Sequence, residues 1–403
     1  MPEPKKDPFT LTIYAAGVKP EEFDSRFRET LERKFPHITF EYKTNTAGNA
    51  LKDLVASNTI PDLIRTDIPG LLSGYLDYQI GEDLNPYVKA HSYDLKRFNK
   101  VFIDEILEAA QSDALYGLPV PPYFPQVLYY NKGLFDRFGV AYPTDGMTWD
   151  DVYELAKRMT RVDGSQVYRG FSSATGTVLR DNTLSMSVLD PAKDGLTDQT
   201  KWKTLFDNLL RLYQIPNNKI ESTSALESAI FGKGFSAMNA ASHNIYSVIP
   251  PEIDWDIVSA PVHAGGSKLM GQRGPAYWSI ASTSKHKEEA FEVIMAMLAD
   301  EVQLQDSRSG IPTVLNNKSI QNELGKGHPV YRTKNMKAVS FYEPSMYPAK
   351  RQKGLTPVAD GTQTNLLNDA FRSTAEGKVD VNTALRQLDE KLKQELEKER
   401  AKR

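Results

Sequence analysis

Hydrophobic positions in the first hundred residues switch between two periods. Phe9-Thr10-Leu11-Thr12-Ile13-Tyr14 alternates β-branched, aliphatic and aromatic residues and runs out at Ala15-Ala16-Gly17, which predicts a strand entering a turn. Over 20–34 the period changes. Phe23, Phe27, Leu31 and then Phe35 recur every four residues, the stripe of an amphipathic helix. Pro20 suits its first turn, because the N–H that proline lacks would have no partner there. Residues 38–42 predict a second strand and 51–56 a short helix. Pro61-Asp62-Leu63-Ile64 predicts a short buried strand opening into Arg65-Thr66-Asp67. Strands alternating with helices predict a parallel sheet covered on both faces.

The run 115–125 breaks this rhythm. Pro119, Pro121, Pro122 and Pro125 forbid both a helix interior and a central strand, so the segment reads as a stiff crossing between lobes that leads into a strand at 126–130. Asn131-Lys132 starts a helix, and Thr148-Trp149-Asp150-Asp151 starts another, with Thr148 as N-cap and Asp151 at the third helical position. Trp202, Leu205, Phe206, Leu209, Leu210 and Tyr213 share one helical face. Strands are predicted at 235–238 and 255–259, and a second crossing at 271–275 leads into a strand at 276–281. A helix at 288–298 follows, then an irregular stretch rich in Tyr, Pro and Lys (329–357). The chain closes on a long helix with the stripe Val381, Ala384, Leu385, Leu388, Leu392 and a frayed, charged tail. The patterns around Trp149, Trp202, Trp255 and Trp278 place all four in the core. No internal repeat is visible.

Composition narrows the function classes. The 403 residues predict two or three domains, and 49 Lys+Arg against 52 Asp+Glu leave a net charge of −3, no global field for nucleic acid or an anionic membrane. With no cysteine there are no disulfides, thiolate nucleophiles, iron–sulfur clusters or Cys-based zinc sites. No stretch reaches the roughly 18 consecutive apolar residues of a membrane span. Residues 1–8 read as a polar leader, native or left after a targeting segment was trimmed. The six His have no metal-ligand spacing and are expected at surfaces and turns; no G-x-S-x-G elbow occurs. Gly232-Lys233-Gly234 lacks the rest of a phosphate loop. Carboxylate pairs for glycoside cleavage have no signature in linear spacing. No catalytic residue, metal or cofactor is predicted.

A set of local patterns carries a resemblance. Leu115-Tyr116-Gly117-Leu118-Pro119 is followed by Leu128-Tyr129-Tyr130-Asn131-Lys132-Gly133-Leu134-Phe135, then Phe138-Gly139-Val140, Pro143 and Thr148-Trp149-Asp150-Asp151. Further on come Phe231-Gly232-Lys233-Gly234-Phe235-Ser236-Ala237-Met238, Asp254-Trp255-Asp256-Ile257 with Ala260-Pro261, and Ser284-Lys285-His286-Lys287-Glu288-Glu289-Ala290-Phe291. In this order they resemble the bacterial extracellular solute-binding proteins of ABC importers, the group that includes maltose-binding protein. The resemblance spans about residues 10–396. It implies a two-lobe α/β fold of the periplasmic-binding-protein type, each lobe a mostly parallel sheet flanked by helices and discontinuous in sequence. The expected division is 1–120 plus 276–311 against 121–275 plus 312–403, with a third crossing at Gly310-Ile311-Pro312 and a ligand cleft that closes by hinge motion.

In open α/β sheets ligands collect beyond the carboxyl ends of strands. That rule nominates Gly17 and Lys19, Thr66 and Asp67, Ser173, and Ser242 with Asn244. The resemblance points at the same loops and adds Tyr123 and Phe124 at the hinge, Arg273, and the loop at Gln363. Many sugar-binding relatives carry a Trp where this chain has Ser242-His243-Asn244, so the stacking ring falls to Tyr123, Phe124 or Tyr342. Each nomination has a plainer reading. Tyr123 and Phe124 also suit packing anchors of the crossing, Asp67 an N-cap before Ile68 and Pro69, and Arg273 an ion pair between lobes.

The leading expectation is a binding protein, not an enzyme, that takes a carbohydrate, an oligosaccharide by preference. A glycan-cleaving enzyme is the alternative from another class, and a structural surface protein a third. A polyamine ligand needs an acidic cleft, which Asp67 alone does not make; Lys19 and Arg273 fit an acidic sugar better. The resemblance further implies a monomer outside the cytoplasmic membrane, lipid-anchored or periplasmic, that docks on permease subunits and has no nucleic-acid partner. For a lipoprotein, the present chain would begin just after the lipid-bearing Cys.

Overall fold

The computed structural model describes residues 7–402, so most of the expected polar leader lies outside the described residues. The chain forms two compact units. The first comprises the chain up to Tyr123 plus Gly274–Arg332; the second comprises Phe124–Arg273 and everything from Thr333 onward.

The sheet of the first unit is built from β1 (Phe9–Ala15), β2 (Ile38–Thr44), β3 (Leu63–Asp67) and β4 (Leu118–Val120), together with the strand Ala276–Ile280. Their order is β2, β1, β3, Ala276–Ile280, β4. β1 runs parallel to both β2 and β3, with Ala15 beside Arg65. Ala276–Ile280 runs against both its neighbours, with Ala276 beside Asp67 and Val120. Residues 20–34 wind as Pro20–Phe23, Asp24–Arg28 and Glu29–Lys34, the middle stretch with π-type hydrogen bonds. Phe23, Phe27 and Leu31 are buried as the four-residue spacing predicts, and Phe23 stacks on Tyr42 at 4.5 Å. Arg26, on the same helix, forks onto Asp306 at 2.9 and 2.8 Å and donates to the Pro121 carbonyl at 3.1 Å.

The expected third crossing at Gly310-Ile311-Pro312 is not where the chain leaves this unit. Val314, Leu315 and Ile320 are buried here: Leu315 bridges Phe98, Asn99 donates its N–H to the Val314 carbonyl at 3.0 Å, and the Ser307 hydroxyl donates to the Ile320 carbonyl at 2.7 Å. These contacts keep 312–332 on the first unit.

The second unit is organised on β5 (Phe124–Asn131). β5 lies antiparallel between Trp255–Ser259 and Met238–Ser242, and Ser172–Ser173 pairs parallel with the latter. Gln272–Arg273 pairs with the first residues of β5. Each of these two large sheets is therefore mixed in one particular way: its strands share a direction except the one that enters directly from a crossing, Ala276–Ile280 in the first unit and β5 in the second. Such a strand starts at the carboxyl edge of its neighbours and must run backwards across the sheet.

Trp149, Trp202, Trp255 and Trp278 are all buried, as their patterns predict. The strand expected at 235–238 is displaced to Met238–Ser242, because Gly234 closes a turn onto the Phe231 carbonyl with φ +77° and delays the extended stretch. The closing helix, Val381–Ala401, continues through the tail expected to fray.

At Thr148 a full capping box forms. The Thr148 hydroxyl accepts from the Asp151 N–H at 3.2 Å, and the Asp151 carboxylate accepts from the Thr148 N–H at 2.8 Å. These bonds hold the Asp151 carboxyl below its ordinary pKa. T148A and D151A are each expected to cost about 1 kcal/mol in urea unfolding. Because the two halves share one device, the double variant should cost clearly less than the sum; strict additivity would contradict the box.

Candidate functional site

In the first unit the carboxyl edge is formed by the ends of β1, β3 and β4. β1 leaves the sheet through Gly17, whose φ of +76° is a left-handed conformation that glycine adopts without penalty. Lys19 follows; its carbonyl accepts from the Glu22 and Phe23 N–H groups to begin the helix, and its side chain is exposed with no partner among the described residues. At the end of β3, Thr66 is 8% exposed and its hydroxyl donates to the Asp67 carbonyl at 3.4 Å. Asp67 takes the plainer role weighed for it, accepting from the Gly70 N–H at 2.8 Å across a short helical turn. Between these nominated residues stands Arg65, half-buried, which the strand pattern does not single out. Tyr123 does not present an open ring. It is 6% exposed, with its centroid 5.0 Å from Phe102 in the same unit.

The corresponding edge of the second unit collects Phe124, Arg273, Ser242 and Asn244. β5 begins with Phe124 paired to Arg273, and Gln126 lies beside Ser242 at the end of its own strand. Phe124 is half-exposed, and its ring lies 6.0 Å from that of His243. Ser242 is half-exposed and Asn244 exposed. His243 departs from its expected surface position: it is 2% exposed, held by Phe124 on one side and Tyr246 at 5.6 Å on the other. Burial alone pulls it down to about 3, and its Nδ1 has no hydrogen-bond partner.

Arg273 belongs to a charged group that sequence spacing does not reveal. The buried Tyr347 donates to Asp360 at 3.2 Å, Lys350 reaches the same carboxylate at 2.9 Å, and Arg180 forks onto Asp181 at 2.6 and 2.5 Å. Burial, then Asp360 and Asp181, push the Tyr347 hydroxyl far up, while Arg273 and Arg180 oppose them. The group assembles because Gly271 passes very close to the end of helix Thr175–Arg180. A Cβ there would lie 2.2 Å from the Asp181 carbonyl oxygen, and Gln126 Nε2 donates to that same oxygen at 3.0 Å.

Three further nominated residues belong to the same unit and make contacts of their own. Ser173 is fully buried, its hydroxyl 2.8 Å from that of Tyr213. Gln363 braces the chain, accepting from the Leu189 N–H at 3.0 Å and donating to the Val358 carbonyl at 2.7 Å. Tyr342 packs edge-on against Phe341 at 4.8 Å, and burial with the nearby Asp145 charge raises its hydroxyl. The packing of the unit already engages the Ser173 hydroxyl and both ends of the Gln363 amide.

Among the described residues no group of three or more His, Asp or Glu is arranged to hold a metal ion, and no helix is long and apolar enough to cross a membrane. What each edge offers is a half-exposed ring or cation among hydroxyl, amide and guanidinium groups, suited to holding a polar solute. The sequence profile of the family described as bacterial extracellular solute-binding protein matches residues 16–304. The chain belongs to that family. Its fold is that of solved solute-binding proteins. An ABC substrate-binding protein from Listeria monocytogenes, solved with cycloalternan, superposes with a TM-score of 0.73 at 20% identity, over 96% of this chain and 99% of that one. A sugar transporter protein from Rhizobium etli in an open conformation gives 0.73 at 19%, over 95% and 99%. The sugar-binding protein MalE from Xanthomonas citri gives 0.70 at 17%, over 97% and 98%. A search of curated protein sequences finds no match. The family and these structures are binding proteins.

Proposed function

We propose that this solute-binding protein captures a carbohydrate, an oligosaccharide by preference, by closing its two units on it, and delivers it to the permease of an ABC importer. It works without catalysis, as a monomer, on the outer side of the cytoplasmic membrane. The observation that carries the reading is the half-exposed Phe124 ring at the carboxyl edge of the second unit, with Ser242, Asn244 and Arg273 around it. A ring face suits the apolar face of a sugar, and the polar groups suit its hydroxyls. The sugars bound by proteins of the same fold support it, cycloalternan in the Listeria monocytogenes protein among them. In the first unit Gly17, Lys19, Thr66 and Asp67 supply further contacts to the solute in this reading.

Calorimetry and thermal unfolding over a panel of neutral and acidic di- and trisaccharides test it. At a hundredfold excess over Kd a true ligand adds about 2.7 kcal/mol to native stability. F124A is expected to weaken binding about tenfold, by roughly 1.5 kcal/mol. The ligand must be recovered intact. A panel without any thermal shift, or release of cleaved sugar, overturns the proposal.

A further inference from the structure

Arg65 is a cation with no direct side-chain contact partner among the described residues. It sits near the carboxyl end of β3, beside Ala15 on one neighbouring strand and directly opposite Trp278 on the other. Its side chain is half-buried, yet among the described residues it makes no hydrogen bond, ion pair or ring contact. The groups that act on it from a distance each have a partner of their own. The Glu22 carboxylate accepts from Arg26 at 3.2 Å, Asp306 takes the fork of Arg26, and Asp67 accepts from the Gly70 N–H. The Tyr42 hydroxyl donates to the Val18 carbonyl at 3.2 Å. Burial and the like charge of Arg26 both work against the Arg65 cation, with Glu22, Tyr42 and Asp67 as partial counterweights. Trp278, cross-strand from Arg65 on the same face of the sheet, is 2% exposed and its Nε1–H also lacks an acceptor. Lys19, next in chain to the Val18 carbonyl that holds Tyr42, adds a second cation without a described partner to this corner.

A guanidinium with its planar fork of donors, partly withdrawn from water and left without an acceptor, is matched by a carboxylate arriving from outside. We infer that Arg65, seconded by Lys19, is the recognition point for the carboxylate of an acidic sugar residue, so that the solute is an oligosaccharide containing uronic acid. This rests on the carbohydrate reading above and specifies its charge. Neutral sugars have hydroxyls alone to offer and leave the cation uncompensated.

The test uses the full chain and calorimetry with two sets of trisaccharides: galacturonate-, glucuronate-, mannuronate- and guluronate-based, and neutral gluco-, manno- and galacto-based. An oligouronate is expected to bind at least tenfold tighter than its neutral counterpart. R65A is expected to weaken it at least thirtyfold while leaving any neutral binding within twofold, and R65K, which keeps the charge without the fork, to fall between. In the free protein R65A removes no partner, so its melting temperature should equal or exceed that of the parent; a drop of several degrees would make Arg65 a structural residue and overturn the inference. Neutral sugars binding best, with R65A indifferent, overturns it while leaving the carbohydrate reading in place. Silence across both sets removes the carbohydrate reading itself.

Discussion

E227A is expected to cost about 3–5 kcal/mol, because it strands a buried guanidinium. Arg169 and Glu227 have side chains 5% and 1% exposed and meet through two bonds of 2.9 and 2.7 Å. The same carboxylate accepts from the Tyr213 hydroxyl at 3.0 Å and from the Glu221 N–H at 2.9 Å. Removing it leaves Arg169 with the Phe171 carbonyl at 3.1 Å and a distant Glu221 carboxylate at 3.7 Å. Most of the desolvation cost is then unmatched. E227Q keeps an acceptor and the side-chain shape and should lose less. The double variant R169M/E227L removes both charges together and should recover most of the loss, since the pair's attraction largely offsets its own desolvation. Urea unfolding with a two-transition fit reads all three; an E227A loss below about 1 kcal/mol would show the pair to be unimportant.

Acid is expected to destabilise the protein through His243. Folded, its pKa is pulled to about 3, against an ordinary value of 6.5, so between those limits the unfolded chain binds a proton that the native chain refuses. Stability contributed by the neutral ring is complete above about pH 6.5 and is lost as pH falls, at up to about 1.4 kcal/mol per pH unit. Between about pH 6.5 and 5 the parent should therefore lose about 2 kcal/mol more than H243F. Phenylalanine fills the same slot between Phe124 and Tyr246, and the buried Nδ1 gives up no hydrogen bond. Parallel pH profiles for the two proteins would contradict the burial argument, and with it the role of Phe124 as the ring that covers His243.

Periodicity makes the framework legible. The four-residue stripe over 20–34, the prolines before Phe124 and the threonine-led helix at Trp149 all depend on neighbours a few residues away, and each forms as its local chemistry dictates. Membership of the family is legible too, in the ordered run from Leu115 to Asp151. The site is only partly so. Ser173 and Gln363 read as loop residues free to bind, but their partners lie 40 and 174 residues away, beyond the reach of any local pattern. Tyr347 and Asp360 are hidden for the same reason: what joins them to Arg180 and Arg273 is a glycine close approach at Gly271, which has no signature in spacing. Arg65 escapes sequence reading because an arginine near a strand end looks the same whether or not an acceptor faces it. Only the surroundings in the folded chain distinguish it.

The backward strands also set the order in which this protein can be made. During synthesis, β4 emerges with no neighbour to pair with, since the position between it and β3 belongs to Ala276–Ile280. The ribosome must deliver the intervening 124–273 before the N-terminal sheet can be sealed, so the second unit has most of its own strands available while the first still waits. A nascent chain stalled before residue 276 holds an open seam of unpaired backbone along β3, and a fragment cut at Tyr123 would keep that seam for good.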